Sequence, residues 1–194
     1  MSPAAWWHYN VSRLFLFMKM EQRAAAELRQ ALRLDPDYAL AASALAFVYA
    51  SLGERDAAIE QFRRALALQP TNAATWFNLG FVYHQSHAHD EAIAAFERAI
   101  AIDPYIDRAW YGLGLAQRSL GRLDEAVVSL ERSAKLQPMN PHAWYELGMT
   151  YYALGRYGDV QRVIEQLNEF DPNVTRQLMR ETPERLSGAT PKAG

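Results

Sequence analysis

The chain has 194 residues, half of them apolar and 22% charged, with a formal net charge of −2. That balance supports a packed core under a solvated surface, and with Lys and Arg scattered along the chain it argues against the basic face that nucleic acid or an anionic membrane requires. The complete absence of cysteine excludes disulfides, thiolate metal sites, a cysteine nucleophile and a lipoprotein anchor.

The chain opens with MSPAAWWHYNVSRLFLFMKM. No basic residue precedes the apolar run and no small-residue cleavage site follows it, so it does not read as a signal peptide. Arg13 and Lys19 interrupt the stretch from Val11 to Met20, which is too short to span a bilayer. The cytoplasm is the expected location.

From there the chain is periodic. Pro36, Pro70, Pro104, Pro138 and Pro172 stand 34 residues apart, in the matching phrases RLDPDYA, ALQPTNA, AIDPYID, KLQPMNP and EFDPNVT. The period divides the chain into units at 5–38, 39–72, 73–106, 107–140 and 141–174. Within the units, position 4 carries Trp76, Trp110 and Trp144, and position 7 carries Leu45, Leu79, Leu113 and Leu147. Position 8 is small throughout (Ser12, Ala46, Gly80, Gly114, Gly148), and position 11 is Phe15, Tyr49, Tyr83, Gln117 and Tyr151. Position 20 holds Ala24, Ala58, Ala92, Ala126 and Val160, and position 24 holds Leu28, Phe62, Phe96, Leu130 and Ile164.

Each unit therefore reads as two amphipathic helices, A and B, whose small residues at positions 8 and 20 let the backbones approach. Gly53, Gly121 and Gly155 are expected to end helix A, and Asp56, Asp90 and Asp124 to place charge in the first turn of helix B, where the helix dipole favours it. The proline then stops helix B. Beyond Asp171-Pro172 the pattern predicts a short capping helix over about 174–181, with Val174 and Leu178 covering the last unit. The composition of 182–194, rich in Pro, Ser, Gly, Ala and Lys, predicts an unstructured tail.

The spacing W-x2-L-G-x2-Y, then A-x3-F, then P, at a period of 34, resembles the tetratricopeptide repeat family. The resemblance is strong over 39–174 and weak over 5–38, where His8, Val11 and Ser12 replace Trp, Leu and Gly, and Lys19 replaces the turn glycine. It implies an all-α fold: a right-handed α-solenoid of five helix-turn-helix repeats closed by the capping helix, forming one domain over 1–181.

The stretch YHQSHAHD places His84, His87 and His89 within six positions. In the repeat frame it is the turn between helices A and B, where ring directions diverge and only Asp90 offers a further ligand, so it reads as a turn rather than a metal centre. No phosphate loop, zinc-protease motif or nucleophile elbow is present. Carboxylate pairs such as Asp90-Glu91 and Asp124-Glu125 suit a helix N-terminus better than acid–base work. The reading is of a non-enzyme with no cofactor and no metal.

The resemblance implies that helix A positions 2, 5, 9, 12 and 13 face a concave groove that holds a partner's peptide. These positions also lie away from the stripe at 4, 7 and 11. Carried onto this sequence, they give Trp6, Tyr9, Arg13, Leu16 and Phe17 in the first unit, Leu40, Ser43 and Phe47 in the second, and Phe77, Phe81, His84 and Gln85 in the third, with Asn78 at position 6 counted as a groove residue beside them. They continue with Arg108, Tyr111 and Arg118 in the fourth unit, and His142, Tyr145, Met149 and Tyr152 in the fifth. The set is aromatic, carries three arginines and contains no carboxylate, the composition enriched at protein interfaces. One branch of the family clamps C-terminal carboxylates. Asn78 and Arg108 match that clamp, whereas Ser43, Phe47 and Gly112 do not.

The leading expectation is thus a non-catalytic module binding a peptide or helix of another protein in an aromatic, Arg-flanked groove, with neither nucleic acid nor membrane as partner. Two alternatives stand beside it. One is the recognition region of a larger enzyme such as a glycosyltransferase. The other is a scaffold that self-associates, as a homodimer, through the apolar N-terminal residues Trp6, Trp7, Leu14, Leu16, Phe17 and Met18.

Overall fold

The computed structural model describes residues 2–182, and among these it contains eleven α-helices and no strand. They group into two compact units that divide between Pro104 and Tyr105. In the first, α1 (Pro3–Phe17) pairs with α2 (Glu21–Leu34), α3 (Ala39–Ser51) with α4 (Arg55–Leu68), and α5 (Ala73–Gln85) with α6 (His89–Ile102). In the second, α7 (Asp107–Ser119) pairs with α8 (Leu123–Leu136) and α9 (Pro141–Ala153) with α10 (Tyr157–Asn168), and α11 (Pro172–Glu181) packs on both α9 and α10. The odd-numbered helices α1–α9 are the A helices of the repeats and the even-numbered ones the B helices.

The small residue at position 8 is what brings A and B together. A Cβ on Gly80 would meet the Phe96 ring at 2.8 Å, and one on Gly114 would meet Leu130 Cγ at 2.6 Å. Phe96 and Leu130 are the position-24 side chains of the same repeats, and both are buried. In the fifth repeat the partner changes: a Cβ on Gly148 would lie 2.7 Å from Leu178 of α11. The capping helix therefore supplies a packing residue as well as a cover.

The turns between A and B follow from backbone sterics. Gly53, Gly121 and Gly155 adopt φ of +80°, +73° and +72°, and Lys19 and His87 adopt +57° and +59° at the equivalent positions. Every repeat thus takes the left-handed geometry, with glycine where it costs least.

Two features of the helix starts are not signalled by the sequence pattern. The tryptophan at position 4 is only half-buried, and its indole N–H closes the turn before it: Trp76 Nε1 donates to the Pro70 carbonyl at 2.9 Å, and Trp144 Nε1 to the Pro138 carbonyl at 2.8 Å. Asn72 and Asn140 cap α5 and α9 by accepting from the backbone N–H groups of Thr75 and His142.

The end of the chain needs two corrections. The capping helix begins at Pro172 rather than near 174, because Asp171 accepts from the N–H groups of Asn173 and Val174 and so acts as its N-cap. Thr182, expected to open the tail, is buried, and its Oγ1 donates to the Leu178 carbonyl. The remainder of the expected tail, 183–194, lies outside the described residues.

Each unit has its own core. In the first, Leu28, Leu32, Tyr38, Leu45 and Val48 form a buried cluster among alanines. In the second, Leu130, Leu147, Val160, Ile164, Leu167 and Leu178 do the same. Overpacking the helix-pair contact should be costly. Gly114→Val is expected to lower the unfolding free energy by about 1–3 kcal/mol, read as a reduced urea midpoint; an unchanged midpoint would mean that the A–B spacing is not set there.

Candidate peptide-binding surface

In the first unit the A helices α3 and α5 flank a pocket of about 350 Å³. Phe47 and Phe81 form its lips, 54% and 48% exposed, over a floor made by Phe62 and Val82. Asn78 and Gln85 line it and bring amide groups to an otherwise apolar cavity. None of its lining residues is charged. Phe47 and Phe81 are separated by one repeat, so the 34-residue period places two rings at the same level of neighbouring helices.

The other expected residues of this unit behave differently. Phe77 is half-buried with its ring 6.0 Å from that of Phe96, and thus belongs in part to the helix-pair core. Trp6 and Arg13 are exposed on α1, while Tyr9 is half-buried with its ring 5.2 Å from Tyr38.

The His84 ring lies 5.1 Å from that of His89, tilted by 54°, and His89 in turn meets His87 edge-on at 5.8 Å. The turn is less exposed than its place in the repeat predicts: His84 and His89 are half-buried, and the Nδ1 atoms of both are buried without a hydrogen-bond partner. Among the described residues no group of three or more His, Asp or Glu side chains has an arrangement that could hold a metal ion.

In the second unit the expected residues are more heavily engaged. Arg118 forms an ion pair with Glu146, a half-buried carboxylate at position 6 of the fifth repeat. The expected set contains no carboxylate, yet the fold sets one against it: Glu146 stands at position 6, which Asn78 occupies in the third repeat and which lies outside positions 2, 5, 9, 12 and 13. Tyr145 donates its hydroxyl hydrogen to Glu181 of α11 at 2.5 Å, a second carboxylate that no groove position signals. That hydrogen bond, ahead of burial, pushes the Tyr145 hydroxyl above its ordinary pKa. Tyr111, Met149 and Tyr152 pack at the edge of the buried cluster, and burial raises the Tyr111 pKa as well. Arg108 and His142 are exposed.

The repeat pattern and its helix pairs define the class as a helical-repeat protein. Family models described as TPR repeat match residues 48–86 and 117–155, and models described as tetratricopeptide repeat match 73–105, 8–38 and 141–174. The chain belongs to the tetratricopeptide repeat family. No curated protein sequence matches it.

Solved structures share its fold, that of a tetratricopeptide solenoid. MamA from Desulfovibrio magneticus RS-1 is 21% identical with a TM-score of 0.79, the match covering 95% of this chain and 99% of that one. YrrB, described as a TPR protein with an unusual peptide-binding site, is 22% identical with a TM-score of 0.78, over 89% of this chain and 90% of that one. PilF from Pseudomonas aeruginosa is 23% identical with a TM-score of 0.78, over 92% and 84%. At these identities the likeness is one of fold. No helix among the described residues is long and apolar enough to cross a membrane.

The histidine turn generates a pH test. Burial, and then the neighbouring His89 and His87, hold the His84 pKa below its ordinary value. Above the ordinary histidine pKa of about 6.5, His84 is neutral in both folded and unfolded chains and contributes no pH dependence. As the pH falls through that value, the unfolded chain binds a proton that folded His84 resists, so stability declines. The melting temperature should fall between about pH 7 and pH 5, and should fall less in His84→Gln. Equal slopes for the two proteins would contradict this account.

Proposed function

We propose that the protein is a non-catalytic interaction module that holds a segment of a partner protein against its A helices, with the Phe47/Phe81 pocket as the anchor. The observation that carries this reading is the pair of half-exposed phenylalanines over an apolar, uncharged cavity. A large ring left in water forfeits transfer free energy that a partner's apolar side chain would recover, and Asn78 and Gln85 stand where they can hydrogen-bond a peptide backbone. The pocket favours a leucine- or phenylalanine-bearing segment over an acidic one. The arginine flank contributes less than the sequence pattern implies, since Arg118 is already paired with Glu146. The absence of cysteine is in keeping with a cytoplasmic setting.

The test is a peptide-array screen followed by affinity measurement on the best binder. Phe47→Ala with Phe81→Ala should weaken binding at least about 30-fold, the effect of losing a hot spot of about 2 kcal/mol. Both positions are on the surface, so the fold should survive, as circular dichroism would show. A folded double variant that binds as tightly as the parent would end the proposal.

One observation favours a second reading, self-association through α1. Trp6, Trp7, Leu14 and Met18 are each half-exposed or more, and Phe17 is 86% exposed. An apolar group of that size seeks cover. Sedimentation analysis should give a mass above the monomer that Leu14→Glu with Phe17→Glu returns to monomer; a parent chain that is monomeric at high micromolar concentration would dispose of this reading.

A further inference from the structure

A second pocket opens on the other side of the first unit, between α4, α5 and α6, with a volume of about 460 Å³. Buried Leu66, Leu79 and Ala95 form its floor, and Trp76 and Tyr83 its aromatic walls. Two guanidinium groups and one carboxylate stand at its mouth: Arg63, Arg98 and Glu91, all exposed. Arg98 lies over the Trp76 ring with its Cζ 5.7 Å from the centroid. Arg63 lies 5.8 Å from the Tyr83 centroid, and its Nε donates to the Tyr83 hydroxyl at 2.9 Å. Both cations are thus braced by an aromatic ring, with N–H donors left over.

The chain supplies its own controls, because the same site recurs in other repeats. Sixty-eight residues on, Glu131 replaces Arg63, Lys135 replaces Ala67, Arg162 replaces Ala94 and Gln166 replaces Arg98. That pocket is about 240 Å³, with Glu131, Asp159, Lys135 and Arg162 among its lining residues. In the first two repeats, Arg33 and Gln61 stand where Ala67 and Ala95 do, no tryptophan is present at position 4, and the pocket is about 290 Å³. The larger opening therefore arises where long polar side chains are replaced by alanine, and among these three pockets only that one joins an apolar cavity to a net positive mouth.

We propose that the pocket between α4, α5 and α6 is a binding site for a small aromatic carboxylate. The ring inserts between Trp76 and Tyr83 above Leu79, and the carboxylate is taken by Arg98 with Arg63 beside it. The volume falls in the range that holds small molecules. A planar apolar body matches the aromatic walls, and a guanidinium is the side chain best matched to a carboxylate. Glu91 disfavours a dianion and leaves a single negative charge as the best fit. The site is independent of the peptide surface and does not rest on that function.

The test is isothermal titration with 2-naphthoate as probe, with 2-naphthamide as its neutral counterpart and the C-terminally amidated dipeptide N-acetyl-Leu-Trp-amide as the peptide arm. Binding of naphthoate should be at least tenfold tighter than that of the amide. Arg98→Gln should weaken it about tenfold, the worth of one charge-assisted contact, and Ala94→Leu, a helix-compatible substitution that fills the cavity, should abolish it. Circular dichroism confirms that both variants are folded. Equal naphthoate binding by parent and both variants would assign the signal to adsorption elsewhere and overturn the proposal. It would be overturned equally by no binding at millimolar probe, by equal affinity for the amide, or by tighter binding of the dipeptide than of naphthoate.

Discussion

The structure depends on the close approach of helix A to helix B at position 8. With no side chain at Gly80 or Gly114, the ring of Phe96 and the branched end of Leu130 rest directly on the facing backbone. This contact brings the small residue at position 20 into the same interface, and Ala58, Ala92, Ala126 and Val160 are all fully buried. A fixed helix-pair geometry then dictates what each other position can do. Position 7 points into the core, position 4 reaches back to the preceding turn, position 5 is partly taken up by core contacts such as that of Phe77 with Phe96, and position 9 leaves Phe47 and Phe81 about half-exposed. The exposure of the Phe47 and Phe81 rings is therefore a product of helix-pair packing.

Much of this is legible in the sequence because the period carries it. Five prolines at one spacing and a small residue at position 8 establish the helix pairs, and the helices follow that period. The end of the chain is legible less fully. The expected start of α11 falls late because Asp171 reads as part of a stop signal although it is an N-cap. Thr182 falls to the tail by composition, which does not show that its hydroxyl reaches the Leu178 carbonyl.

The candidate surface is harder to read, for a physical reason. Position in a repeat says which way a side chain points, but its charge state and exposure depend on residues from other helices. In the sequence Arg118 is one more groove cation, and only the fold sets Glu146 against it. Tyr145 is likewise an open ring until α11 delivers Glu181. Gln117 departs from the tyrosine pattern, yet it accepts from the Ser129 hydroxyl at 2.7 Å, a buried exchange of one polar pair for another. Phe77 and Phe81 lie four residues apart on one helix, and only the distance between the Phe77 and Phe96 rings separates the half-core residue from the half-exposed one.

The tyrosine at position 11 shows how a strict repeat can still vary its surface. Tyr83 accepts a hydrogen bond from Arg63, whereas Tyr151 donates one to Glu131 at 2.6 Å. These are equivalent positions with opposite charges, and both are satisfied because a hydroxyl both donates and accepts. The price appears in the Tyr151 pKa, raised by burial first and then by the carboxylate it serves, and it is small because that hydroxyl remains protonated at any physiological pH. Position 25 is thereby freed to carry either sign without disturbing the core beneath it. Where it carries Arg63 and the neighbouring positions shrink to Ala67 and Ala94, a positive mouth opens over an apolar floor. Where it carries Glu131, with Asp159, Lys135 and Arg162 around it, the two charges of each sign compensate and the space is smaller. The packing rule that makes the repeats alike is what allows their surfaces to differ.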